Sequence, residues 1–433
     1  MFRRPFSAKF LSVVTLPLAT SGVAWCAEPT TTDMAEQIRA LREEVAELRA
    51  ASQPATTKSI AVRDEVLLDA QRRSHLLHID TAVEPSTAGV EKGKFFIRDT
   101  AGNFSISPVF QLQIRTVSNW SDSADDESFD NGFEIRRAKF GAEGHAFSKD
   151  LGYKFVWATN RSGGSVFLED ALISYQLSPE WKVFGGQFKD PVHHEELVSS
   201  TRQLAVDRSI VNEVLGGGAT DRIQGVGVAY QRGALAAQAV FHDGINSDNT
   251  NFLDSPTNAT DFGFSGRLEY TVFGDRKAYN DFTARKNKSD LLVLGLGGSA
   301  TGGAEQNLYF YTIDTQWENT RGTGVYAALL GLTSDGHASD ASSETDWGGL
   351  LQVAQMIVGD RWETFGRVGF LDGEGDDLWE LTVGLNYYLF DHNAKLTTDV
   401  VYLPAGSPSD SGLSYVASDG AQVVWRVQFQ LAL

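Results

Sequence analysis

The residues most suited to chemistry are the run His193-His194-Glu195-Glu196, which offers two imidazoles and two carboxylates to a metal. Adjacent histidines on a strand point to opposite faces, and the longer helical spacing of zinc hydrolases is missing, so this run predicts no metal centre. The stretch from Gly295 to Gly303 is glycine-rich but lacks the Gly-Lys-Ser/Thr of a phosphate-binding loop, and it reads as a turn or loop. No Gly-x-Ser-x-Gly elbow is present. The single cysteine, Cys26, rules out an internal disulfide and any zinc or iron–sulfur centre built on cysteines. These absences predict no enzyme and no cofactor. What remains is a set of basic residues, Arg137, Lys139, Lys154, Lys189, Arg267, Lys395 and Arg426, each set among residues of alternating polarity. Such cations, gathered on one face, would act on small ions through their field.

Alternation of period two is the element that would gather them. It begins near Lys94 and is clearest in Gln422–Leu433. There Val423, Trp425, Val427, Phe429, Leu431 and Leu433 take one face, and Gln422, Val424, Arg426, Gln428 and Gln430 the other. Phe104 to Ile114, Tyr153 to Trp157, Phe262 to Tyr270 and Leu381 to Tyr387 repeat it, separated by polar segments at 121–130, 244–261 and 334–346. The acidic part of the first of these, Asp122 to Asp130, is suited to hold divalent cations or to repel anions. A soluble sandwich and a barrel in lipid both give such a pattern. Tyr and Trp near the strand ends, among them Trp120, Trp181, Tyr270, Tyr387 and Tyr402, favour the barrel, where they form interfacial girdles. A spanning strand with its share of loop takes about 20 residues, so 94–433 predicts an all-β, transmembrane antiparallel β-barrel of about 16 strands, wide enough for an aqueous channel.

The first 93 residues are built differently. Arg3, Arg4 and Lys9 precede an apolar stretch from Phe10 to Ala24 that ends in small residues, a signal peptide over 1–26 cleaved after Ala24 or Cys26. An alternative makes Cys26 a lipidated N-terminus, although Trp25 is bulky for that motif. Met34, Ile38, Leu41, Val45 and Leu48 lie at intervals of 4, 3, 4 and 3, which predicts a short coiled-coil helix over 33–50 with Asp33 as N-cap and Glu36 closing a capping box. That helix either associates with copies of itself or lies on the rest of the protein. Residues 51–93 read as a linker, with a possible second helix over 59–79. Charge follows the same division. The chain has 37 basic and 56 acidic residues, a net −19, of which −1 belongs to 1–93 and −18 to the rest. So acidic a chain is no partner for nucleic acid.

Three blocks carry a resemblance to a known family: Gly186-Gln-Phe-Lys-Asp-Pro191 followed by Glu195 to Ser200 and Arg208-Ser209, then Arg136 to Gly144 with Tyr153 to Phe155, and Gly384 to Leu396. With the terminal strand, they make the chain similar to the phosphate-selective porin O/P family over about 95–433. It departs in ending on Leu433, where such barrels usually end on Phe. The resemblance implies a 16-stranded outer-membrane porin, a homotrimer, with the segment after Pro191 folded into the channel as a constriction. Candidate residues there are Lys189, His193, His194, Glu195, Glu196, Arg202, Arg208 and Arg222. Between Asp190 and Arg222 three arginines face six acids, which predicts weak selectivity of either sign. The expected partners are outer-membrane lipid and small solutes or ions, phosphate and other anions among them. The competing expectation is a structural role, with the stalk tethering the outer membrane to peptidoglycan.

Overall fold

A computed structural model describes residues 31–51, 87–91, 94–123, 126–217, 221–245, 260–303, 306–336, 343–372, 377–407, 413 and 415–433. The chain divides into two units, Met1–Glu84 and Pro85–Leu433. In the first, helix α1 spans Thr31–Ala51. It begins two residues earlier than its expected cap, which places position 33 within the first turn. Ile38, Leu41 and Val45 are exposed on it. The expected signal peptide and the possible helix over 59–79 fall outside the described residues.

In the second unit, β1 (Ala88–Glu91) and β2 (Lys94–Arg98) form a small hairpin. β1 lies inside the segment expected to be linker. Its four residues have little strand preference of their own and are held by pairing with the Phe95-Phe96-Ile97 run of β2. Sixteen further strands follow: β3 (Ser105–Ser123), β4 (Asp126–His145), β5 (Leu151–Thr159), β6 (Val166–Gln176), β7 (Trp181–Lys189), β8 (Arg222–Arg232), β9 (Leu235–His242) and β10 (Thr260–Phe273). The rest are β11 (Leu291–Gly303), β12 (Gln306–Glu318), β13 (Thr323–Gly336), β14 (Ser343–Val358), β15 (Trp362–Asp372), β16 (Leu378–Phe390), β17 (Ala394–Leu403) and β18 (Gln422–Ala432). Each pairs antiparallel with its neighbour in sequence, and β18 pairs with β3, Val427 opposite Thr116 and Leu431 opposite Leu112, so the sheet closes into a barrel. Closure leaves no edge among the sixteen barrel strands and satisfies their ladder hydrogen bonds internally, as lipid requires.

The two faces separate as the alternation predicts. On β18, Gln422, Val424, Arg426, Gln428 and Gln430 are buried inside, while Val423, Trp425, Phe429 and Leu431 are exposed outside. On β10, Arg267 and Glu269 face in and Phe264, Leu268 and Tyr270 face out. Outward aromatics gather at both ends. Trp362 stacks near Tyr387 beside the tight turn at 359–361, and Trp347, Phe370 and Trp379 form a group at the opposite ends of their strands. An outer apolar surface with two such groups is the profile of a membrane-spanning barrel.

Three expected loops are strands in their described residues; one is 334–346, where Ser334 lies opposite Glu344 in the β13–β14 hairpin. Residues 121–123 and 126–130 extend the β3–β4 hairpin, with Ser121 opposite Ser128 and Asp122 opposite Glu127. The glycine-rich stretch from Gly295 to Gly303 is the second half of β11. Its glycines serve approach from inside the barrel. A Cβ on Gly297 would collide with the carbonyl oxygen of Val192, and one on Gly295 with the Arg267–Asp314 pair.

Candidate functional site: the inner loop and the cavity beside it

The chain between β7 and β8 turns into the barrel. Residues 193–197 are not a strand, as supposed for the two histidines; His194–Leu197 forms one helical turn, α2, and Asn212–Gly217 a π-helical turn. Val198, Leu204, Ile210, Val211 and Leu215 are buried against Phe310, Tyr326, Leu330, Phe365, Val401 and Val424 of the wall. Each such apolar side chain contributes about 1.5–3 kcal/mol on burial. The barrel interior is therefore packed on this side with a true apolar core.

Polar anchors fix the register of the loop. Arg267 donates to the carbonyl of Val192 (2.8 Å), Lys395 to that of Gln203 (2.7 Å), Asn386 to that of Leu204 (3.0 Å) and Gln430 to that of Thr201 (2.8 Å). In return, the amides of Val206 and Ile210 donate to the carboxylates of Asp399 (2.9 Å) and Glu380 (2.6 Å). Asp207 is the hub. Its fully buried carboxylate receives Arg115, Arg136 (3.4 Å), Arg137 (3.2 Å) and Arg426 (3.4 Å), and its carbonyl accepts from Arg367 (2.9 Å). Burial alone would raise the pKa of Asp207, but the four guanidiniums outweigh it and hold the carboxyl well below the usual range.

The candidate residues thus divide. His193 is fully buried, its Nε2 3.8 Å from Glu195. His194 stacks on Tyr279 at 3.8 Å, with Nε2 2.9 Å from Gln316 Oε1, and burial lowers its pKa to about 4. Glu195 accepts from the hydroxyl (2.7 Å) and amide (2.9 Å) of Ser209. Arg202 reaches the carbonyl of Asn280 at 3.4 Å. His194 and Arg202, with Arg267, Lys395 and Arg426, tie the loop to the rest of the barrel, Glu195 faces Arg367 of β15 at 3.7 Å, and His193 is buried within the loop beside Glu195. Arg267 is tied to Asp314 (2.8 Å), and Arg426 to Asp399 (2.8 Å).

The other seven candidates line a cavity of about 760 Å³ left between the loop and the wall from β3 to β9. Lys139 pairs with Glu169, and Lys154 with Asp170 (2.8 Å). Arg222 bridges Glu169 (2.9 Å), Asp170 (3.0 Å) and Asp221 (2.7 Å). Lys189 and Arg208 meet Glu196 at 3.0 and 3.2 Å, and these two cations overcome burial to keep the Glu196 carboxyl well below the usual range. Arg137 completes the set. Three basic residues of this cavity were not among the candidates: Arg136, Arg161 and Lys182. Parity hides Arg136, because a bulge pairs Gln113 with Arg137 and Ile114 with Ile135, leaving Arg136 as the extra residue that also turns inward to Asp207. Lys182 was hidden as well: alternation puts it in step with Phe184 and Phe188, which read as lipid-facing, and out of step with Lys189, yet all four line the cavity. Altogether nine Lys and Arg side chains line the cavity against five Asp and Glu, in a chain whose net charge is −19; two of the nine, Arg136 and Arg137, are paired with Asp207, which is not itself in the lining. Among the described residues no cluster of three or more His, Cys, Asp or Glu side chains is placed to hold a metal.

A closed sixteen-stranded barrel with an inward loop is the architecture of the outer-membrane porins. The profile of the phosphate-selective porin O and P family matches residues 112–329, half of the chain, and the protein belongs to that family of outer-membrane channels. No curated protein sequence matches it. Among solved structures, an anion-selective porin from Comamonas acidovorans is 13% identical, with a TM-score of 0.53 over 76% of this chain and 99% of that one. The outer membrane channel DcaP of Acinetobacter baumannii is 12% identical, with a TM-score of 0.51 over 77% and 99%. Salmonella typhi OmpF, solved with daunomycin, is 13% identical, with a TM-score of 0.51 over 76% and 98%. At these identities the likeness is one of fold.

Proposed function

We propose that this protein is a general diffusion channel that prefers anions, with the cavity beside the inner loop as the narrow part of its path. The observation that carries this reading is the predominance of basic side chains in the lining of that cavity, nine Lys and Arg against five Asp and Glu. In a low-dielectric wall, a cluster of one sign raises the local concentration of the opposite ion. The acids that suggested weak selectivity from the loop sequence act mostly as internal counterions: Asp207 is surrounded by four arginines, and Glu196 by Lys189 and Arg208. The likeness in fold to a porin named as anion-selective agrees with this.

Zero-current potentials in a KCl gradient across a planar bilayer test it. Chloride is expected to permeate better than potassium, and Lys154→Glu, which replaces a cation of the cavity wall, is expected to reduce or reverse that preference. A potassium-selective wild-type channel would overturn the reading. The assembly we propose is a homotrimer, as resemblance to the family implies; a mass of three chains in mild detergent is expected, and a monomer mass would count against it.

A further inference from the structure

The cavity is not lined by charged and polar groups alone. Between its cations lies an apolar band: Val109 of β3, Leu172 of β6, Phe184 and Phe188 of β7, and Leu197 of α2. Phe184 and Phe188 meet edge to face at 4.9 Å. Gly227, directly across on β8, gives the Phe184 ring its place, since a Cβ there would collide with that ring. Phe184, Leu172, Leu197 and Val109 remain half-exposed to the cavity. At the same time, Lys139, Lys154, Lys189, Arg208 and Arg222 already hold carboxylates. Lys182 stands 6.0 Å over the Phe184 ring.

We infer that the preferred solutes of this channel are organic anions with an apolar body, such as aryl or alkyl carboxylates, rather than inorganic phosphate. Inorganic phosphate gives up hydration on entering a narrow site and must regain it from donors, and aromatic and aliphatic walls supply none. A carboxylate on a ring loses less. Its charge meets the mainly basic lining, Lys182 above the Phe184 ring included, and its ring is removed from water against Phe184 and Leu172. This inference rests on the anion-preferring reading above and narrows it to a class.

The test uses the full chain in planar bilayers in symmetrical KCl, with benzoate, acetate and inorganic phosphate added as probes of chloride current. Benzoate is expected to halve the current at a concentration about tenfold below that of acetate or phosphate. The double substitution Phe184→Ser, Leu172→Ser is expected to bring benzoate and acetate to the same effect. Equal block by benzoate and acetate in the wild type, or stronger block by phosphate, would overturn the inference while leaving anion preference standing. The KCl-gradient potential, read on the same bilayers, shows separately whether that preference itself fails.

Discussion

Asp190, the first residue after β7, shows what a single buried group can do to this loop. It is fully buried, and neither carboxylate oxygen has a hydrogen-bond partner among the described residues. Burial pushes its pKa up to about 7, the hydroxyl of Ser265 opposing this without reaching hydrogen-bond geometry. An acid whose pKa is higher in the seated loop than in water favours seating in its neutral form. The seated state therefore loses stability as pH rises from about 4, the ordinary carboxyl value, to about 7, and nothing further is lost above that. Trypsin cleavage after Arg208 in the folded barrel, divided at each pH by the rate on an unstructured peptide to remove the protease's own pH dependence, is expected to increase over this interval, and Asp190→Asn is expected to flatten the profile; an unchanged slope in the variant would refute the assignment. Asp207 is the opposite case, a carboxylate kept charged by four guanidiniums, and its importance was invisible in sequence because alternation says nothing about residues on a loop.

At the scale of elements, strand β11 and the inner loop are made for each other. Gly297 brings the wall close enough for Val192 to pack its carbonyl against the strand, where Arg267 donates to it. Replacing Gly297 by Val would push the start of the loop off the wall, since the new side chain fills the space of that carbonyl. Single-channel conductance is expected to rise and to become noisier, while the barrel's strand content, read by circular dichroism, stays. Unchanged conductance would show that the loop tolerates the displacement. The glycines themselves were legible, but their meaning was not. Read alone, a glycine-rich run suggests a turn, and it becomes a strand because β10 and β12 pair with it on both sides.

For the whole molecule, net charge and channel charge are separate quantities. A chain of −19 surrounds a cavity lined by nine Lys and Arg against five Asp and Glu. If the local field sets selectivity, the chloride preference should be strong at 0.1 M salt, where the screening length is about 10 Å, and weaker at 1 M, where it is about 3 Å. A preference that does not change with salt would point instead to selection by size. By itself the sequence determined the barrel, its two faces and the inward direction of Arg137, Lys139, Lys154, Arg267, Lys395 and Arg426, because period-two alternation is a local property and lipid enforces it on every strand. It could not decide which of those cations meet open space and which are bound to the loop. That depends on where an irregular segment lies inside the barrel, and the position is set by contacts distant in sequence, such as Asp207 with Arg115, Arg137 and Arg426. The tertiary structure alone turned acids of the loop, Asp207 and Glu196 foremost, into counter-charge for the arginines and lysines around them, and left a cavity lined by more basic than acidic side chains.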